Sequence, residues 1–238
     1  MRKSAVVILI MGICLFSLNA EAQYDLAKYF PLDQGNRWNY LVKYEGEEEV
    51  ALTETVAIKG VEKVEGRETI KMFTGTEEPG GEKDEGYFCI GMDSEGAKIY
   101  KYMGDDGYTI YEPPLLLFPT QLKIRNTLEF SNSLTEYYYD TAPARASNVR
   151  KITLERLEDI TIKSGVFKDC LKFSITEETN VENGEFELSN WTIWLAPNIG
   201  KVKEIKFSTA FKIDEGVVKE SNELELKSAV IRGKNFGE

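Results

Sequence analysis

Histidine is absent from all 238 residues. With it go the Ser-His-Asp triad, the Cys-His dyad, the histidine-bearing zinc sites and any imidazole pH switch. Cysteine is nearly as scarce, with three residues. Cys14 lies in an N-terminal apolar run, and the other two, Cys89 and Cys170, cannot build a four-cysteine zinc site. The chain has no G-x-S-x-G nucleophile turn and no G-x-x-x-x-G-K-[ST] phosphate loop, so no cofactor is implied. Positive charge is in deficit: 29 Lys and Arg stand against 40 Asp and Glu, a net charge of −11. Such a surface repels nucleic acid and anionic lipid headgroups. Scattered acidity of this kind serves solubility.

Long apolar runs are also missing, with one exception. Met1-Arg2-Lys3 is a short basic start, Ala5 to Leu18 is an apolar run of 14 residues, and Ala20 and Ala22 supply the A-x-A pattern cut by a signal peptidase. The run is short for a bilayer span, and no stop-transfer pattern follows. Residues 1–22 therefore read as a cleaved signal peptide, and the mature chain begins at Gln23 with no transmembrane segment expected. Ile13 stands where lipidation at Cys14 would need a small residue, so Cys14 reads as part of the signal core. Losing Arg2, Lys3 and Glu21 leaves 27 basic and 39 acidic residues, a net charge of −12. The expected location is outside the cytoplasm, either periplasmic or extracellular.

What fills the remaining 216 residues is period two. Val50, Leu52, Val56 and Ile58 alternate with Thr and Glu. Leu171-Phe173-Ile175, Trp191-Ile193, Val202, Ile205, Phe207 and Leu224-Leu226 continue the pattern. Short turn signals separate the runs, Asn183-Gly184 being the sharpest, as expected of a two-residue hairpin turn. The template yields 12–14 strands joined as antiparallel meanders. Tyr24 to Tyr29 reads as one helical turn ended by Pro31. Val149 to Ile162 reads as a strand with a bulge near Leu157. The prolines of Glu112 to Pro119 argue against a central strand there.

Two halves of the chain share an order of motifs. Leu32-x-x-Gly35-x-x-Trp38-x-Tyr40 aligns with Leu122-x-x-Arg125-x-x-Leu128-x-Phe130, Gly66 with Gly165, and Tyr87–Gly96 with Trp191–Gly200, at offsets of 90, 99 and 104. The expected fold is all-β: one domain over 23–238, an antiparallel curved sheet or half-open barrel built from two diverged repeats of one unit, near 30–118 and 119–231.

Phe30-Pro31-Leu32-x-x-Gly35-Asn36-x-Trp38-x-Tyr40, Pro113-Pro114-Leu-Leu-Leu-Phe-Pro119, Gly165-Val-Phe-x-x-Cys170-Leu-Lys and Trp194-Leu-Ala-Pro197-x-x-Gly200-Lys-Val form an ordered series. As a set it resembles the TapB-like group of secreted bacterial proteins. The series departs from that group where Asn198-Ile199-Gly200 replaces a Val-Gly pair, and where Arg125 and Leu128 replace Gly and Trp in the second half. The resemblance implies an antiparallel β protein with a sheet like those of lipoprotein carriers, and no established activity.

Trp38, Tyr40, Trp191 and Trp194 are the candidate ligand-binding residues. The same rings would equally serve as core anchors, since large aromatics dominate β-core burial. Trp191 and Trp194, three apart, face opposite sides of a plain strand. Tyr100, Tyr102, Tyr108, Tyr111 and Tyr137-Tyr138-Tyr139 read either as a binding surface or as cross-strand aromatic pairs. Asp93-Ser94-Glu95-Gly96 and Asp105-Asp106-Gly107 lack the register of a calcium loop and read as hairpin tips. Cys89 and Cys170 are a disulfide candidate in an oxidising compartment, or two separate buried thiols. The function expected is a non-catalytic exported protein carrying an apolar or lipid-like small molecule on a concave sheet. The alternative is an envelope module that binds protein or glycan through exposed Tyr and Trp.

Overall fold

A computed structural model describes residues 24–46, 52–77, 83–139 and 141–237. The expected signal peptide and its cleavage site, with Ala20, Ala22 and Gln23, lie outside them, as do parts of the acidic stretches 45–49 and 77–85. One short helix, α1 (Leu26–Tyr29), precedes the strands. The strands are β1 (Arg37–Tyr44), β2 (Leu52–Val64), β3 (Arg67–Glu77), β4 (Lys83–Met92), β5 (Gly96–Met103), β6 (Gly107–Pro119), β7 (Thr127–Tyr138), β8 (Ala144–Ile162), β9 (Gly165–Val181), β10 (Phe186–Ala196), β11 (Gly200–Lys212), β12 (Gly216–Ile231) and β13 (Lys234–Gly237). Each pairs antiparallel with the next, as the short turns require.

The sheet closes. β1 pairs with β12 from Arg37↔Val230 to Tyr44↔Asn222, so β1–β12 form a twelve-stranded barrel, and β13 adds one strand beside β12. The expected half-open barrel is corrected on this point. Pairing β1 with β12 satisfies both strand edges that an open sheet would leave bare.

Three local expectations meet their test here. β8 runs unbroken, with register shifts between Leu154 and Arg156 and between Glu158 and Ile160, one on each side of Leu157. The Asn183-Gly184 hairpin is a three-residue loop instead of a two-residue one. The Val181 N–H donates to the Glu185 carbonyl at 2.9 Å, and Gly184 takes the positive φ of 96°. Pro113 and Pro114 do lie within a strand. β6 pairs with β7 only as far as Glu112 and rejoins β5 at Leu115, so the prolines occupy the stretch where neither ladder needs their missing N–H.

The paired motifs take equivalent places in two successive sets of six strands. Gly35 (φ 89°) precedes β1, and Arg125 (φ 67°) precedes β7. Each donates its N–H to the strand after next, Gly35 to the Ile58 carbonyl at 3.1 Å and Arg125 to the Leu154 carbonyl at 2.6 Å.

One end of the barrel is a sealed apolar floor. Tyr24, Leu26 and Tyr29 join Leu116, Phe118, Ile152, Leu154, Leu171, Phe173 and Leu195 in one buried cluster. The Tyr24 hydroxyl donates to the Pro119 carbonyl at 2.7 Å, and the Asn198 N–H donates to the Lys28 carbonyl at 2.6 Å. Asn36 ties the entering chain down. Its amide donates to the Pro31 carbonyl at 3.2 Å, and its side-chain oxygen accepts from the Arg232 N–H at 2.8 Å. At the opposite end β1, β3, β5, β7, β9 and β11 finish and the strands that follow them begin.

Candidate functional site: the barrel lumen

Between floor and mouth the barrel encloses a cavity of about 410 Å³. That volume falls within the few-hundred-Å³ class of ligand pockets. Its apolar wall is supplied by the strands around β3–β6, with Met72, Phe88, Ile99, Leu115 and Leu117, and the entering chain adds Phe30 and Leu32. Its polar wall comes from β11, β12, β1 and β2, with Lys201, Glu204, Asn222, Tyr40 and Glu54. Alternation explains the placement. Glu54 is in phase with inward Val56 and Ile58, and register sets it opposite Tyr40. Glu204 is paired with inward Ile193 on one side and Leu224 on the other.

The charges in this wall are organised. Lys201 Nζ donates to Glu204 at 2.9 Å and stands 5.1 Å above the Tyr40 ring, while the Tyr40 hydroxyl donates to the Lys201 carbonyl at 3.0 Å. Burial works against the Lys201 ammonium, but Glu204 and Glu54 outweigh it and raise its pKa. Burial pushes the Glu54 carboxyl above its ordinary value; Lys201 opposes this and Glu204 adds to it. On β8, Arg150 donates to Glu177 at 2.7 Å and lies 5.4 Å over the Trp191 ring. Lys206 reaches Trp191 from the other side, also at 5.4 Å, and pairs with Glu187 at 3.5 Å. Burial likewise raises the Tyr40 and Tyr111 phenols, which stay neutral.

The four candidate aromatics divide. Trp38, Tyr40 and Trp191 line the cavity. Trp38 is 5% exposed, and its indole N–H donates to the Ile199 carbonyl. Gly200 permits that approach, since a Cβ there would meet the Trp38 indole nitrogen at 3.3 Å. Trp194 faces the opposite side of β10 from Ile193, as the alternation predicts. It clusters with Ile162, Phe167 and Cys170 of the β8–β9 hairpin and donates to Glu158 at 2.8 Å. The Ser164 hydroxyl at the tip of that hairpin donates to the Leu226 carbonyl on β12, so the hairpin reaches across β10 and β11. Trp194 is therefore no part of the lumen.

Cys89 and Cys170 are buried free thiols in separate clusters, so the candidate disulfide does not form. They stand on β4 and β9, whose nearest shared path crosses five strand pairings. Burial raises both thiols, Cys170 to about 12, which leaves them protonated and inert. Among the tyrosines, Tyr108 stacks on its cross-strand partner Tyr137 at 4.7 Å, and Tyr102 meets Phe88 at 4.7 Å, as sheet pairs do. Asp93 closes its own turn, accepting from the Glu95 and Gly96 N–H groups and from Lys98. Among the described residues no group of three acidic or sulfur ligands could hold a metal.

Glu54, Arg150, Lys201, Glu204 and Asn222 were not among the residues singled out from sequence. The signal was available for two of them. Glu54 and Arg150 are charged residues in phase with an otherwise apolar alternation, a pattern that marks a polar group turned inward.

The outward face of the barrel is polar. Lys203 pairs with Glu223 and Glu225, and Glu62 gathers Lys71, Lys101 and Tyr87. Among the described residues no helix is long and apolar enough to cross a membrane.

No protein-family model matches the chain, and no curated protein matches it. Two solved structures are similar to it. One, from Bacteroides fragilis NCTC 9343, has a YmcC-like fold and is provisionally described as exported. It is 12% identical, with 84% of this chain and 98% of that chain covered and a TM-score of 0.48. The other, from Parabacteroides distasonis ATCC 8503, is provisionally described as a lipoprotein. It is 15% identical, with the same shares of both chains covered and a TM-score of 0.46. Neither the family models nor the curated proteins support the resemblance to the TapB-like group. Of its motif residues, Phe30 packs on Phe118 at 5.4 Å, and Trp38 bonds to Ile199.

Proposed function

We propose that this is an exported, non-catalytic protein that holds an apolar or lipid-like small molecule inside its barrel. The observation that carries the reading is the 410 Å³ cavity, closed below by α1 and lined by apolar and aromatic side chains on one wall and a few polar groups on the other. Packed interiors leave few voids larger than a water molecule, and a lumen of this size has room for a small ligand. Export is supported by the basic start, apolar run and A-x-A site of residues 1–22. The two halves are read as diverged copies of a six-strand unit, supported by the matching turns at Gly35 and Arg125.

The alternative, an envelope module that binds protein or glycan through exposed aromatics, would draw on Tyr138 and Tyr139, which are 45% and 65% exposed. Phe186 and Phe211 stack at 6.1 Å near the mouth, with Phe207 and Val217 exposed beside them. Native mass spectrometry of protein purified from its export compartment without detergent separates the two. Extra mass that leaves on denaturation supports the lumen reading and identifies the ligand class. A bare mass from protein that also fails to take up N-phenyl-1-naphthylamine, a neutral apolar dye, shifts the assignment to the outer aromatics.

A further inference from the structure

Four buried side-chain atoms among the described residues lack a hydrogen-bond partner: Asn132 Oδ1, Asn148 Oδ1, Arg150 Nε and Asn222 Oδ1. All four residues turn inward. Arg150 and Asn222 line the cavity, Asn148 is in phase with Arg150 on β8, and Asn132 is the cross-strand partner of Asn148 on β7. Buried polar atoms are normally satisfied, and one left unmet in a cavity wall marks a place where a bound group completes the bonding. The two in the wall ask for opposite things. Arg150 is 6% exposed; a terminal guanidinium nitrogen donates to Glu177 at 2.7 Å, while its Nε–H is a donor without an acceptor. Asn222 Oδ1 is an acceptor without a donor. Trp191 lies between them. Arg150 stands 5.4 Å over its ring from the β8 side, and Asn222 faces it from β12 through Lys206, two strands or about 10 Å away.

We infer that the lumen seats an amphiphile whose head group both accepts and donates hydrogen bonds, accepting from Arg150 Nε and donating to Asn222 Oδ1, with the apolar tail against the Phe88–Leu117 wall. The inference rests on the lumen being a lipid-binding cavity, and it names the head-group chemistry. The two bonds require an acceptor and a donor and set no charge on the head. A glycerol-type hydroxyl head and a primary amide head share this chemistry, and the test distinguishes them. An ester head accepts but cannot donate, so it leaves Asn222 unmet.

Wild-type protein loaded with N-phenyl-1-naphthylamine is titrated at neutral pH with three uncharged amphiphiles of equal tail: glycerol monolaurate, dodecanamide and methyl dodecanoate. Methyl dodecanoate is the most apolar, so burial alone would favour it. The other two are expected to displace the dye at concentrations about tenfold lower. If glycerol monolaurate leads, the head is a hydroxyl, and if dodecanamide leads, it is an amide; either result supports the inference. Methyl dodecanoate binding as well as or better than both overturns it while leaving the lumen reading intact. Failure of the dye to bind, with none of the three amphiphiles retained in native mass spectrometry, overturns both. Asn222→Leu removes the acceptor at similar size, so it should close the gap between methyl dodecanoate and the other two. An unchanged gap in a variant with wild-type circular dichroism overturns the seat at Asn222. The wild-type series decides the inference even if that variant does not fold.

Discussion

Trp191 and Trp194 stand three residues apart on β10 and serve opposite sides of the barrel wall. Trp191 lines the cavity, its ring held between Arg150 and Lys206, with room left beside it. Trp194 is sealed beneath the β8–β9 hairpin, its indole N–H committed to Glu158. The two rings have the same chemistry and opposite duties. A ring that closes a packed compartment contributes chiefly stability, while a ring beside a void is available to a ligand. The same contrast separates the apolar floor around Phe173 from the half-polar lumen above it.

Truncating each ring is the sharpest test of that contrast. Trp194→Ala should cost about 3–5 kcal/mol in urea unfolding, with dye binding in the lumen unchanged once the variant is folded. Trp191→Ala should cost less, about 1–2 kcal/mol, and weaken dye binding. Reversed outcomes would exchange the two roles.

The ion pair beneath Trp191 gives a comparable effect by a different route. Glu177→Ala strands Arg150 without its carboxylate in a site where the arginine side chain is 8% exposed. Breaking a buried pair in this way costs about 3–5 kcal/mol. An effect below about 1 kcal/mol in denaturant titration would show the pair to be solvated.

At the floor, Asn36→Ala should cost about 1–3 kcal/mol, since the Pro31 carbonyl and the Arg232 N–H both lose their partner. Its effect should appear as earlier exchange of the amides of α1, leaving the lumen dye signal little altered.

The smallest expected effect has a sign that depends on pH. Burial raises the folded-state pKa of Glu54, so between the ordinary glutamate value and the raised value the folded protein holds the proton more tightly than the unfolded chain. Wild-type stability should therefore fall as pH rises through that window. Glu54→Gln should remove this part of the fall, equalling wild type below the window and exceeding it above. Parallel stability curves across pH would show Glu54 to be solvated by the lumen.

Much of this architecture was legible in the chain. The alternation from Val50 to Leu226 marked the strands, and the Arg125 turn was found by its spacing to Leu128 and Phe130 although it carries arginine where the Gly35 turn has glycine. The bulge at Leu157 followed from a break in parity. The Pro113-Pro114 stretch misled because proline forbids a ladder bond only where a ladder exists, and β6 has none there. The cavity was legible only in outline. Trp38, Tyr40 and Trp191 were named from their motifs, but a period of two reveals two faces of a strand without saying which one turns inward.

By itself the sequence determined what depends on neighbours along the chain: the antiparallel strands, their turns, and the opposite facing of Trp191 and Trp194. Only the tertiary structure decided the closure of β1 on β12, the seal of α1 against Phe118 and Phe173, the separation of Cys89 from Cys170, and the meeting of Glu54, Lys201 and Glu204 on one wall. Apart from Lys201 and Glu204, which share β11, those contacts join segments distant in the chain. They are set by strand number and register, which add up around the whole barrel and are written in no single segment.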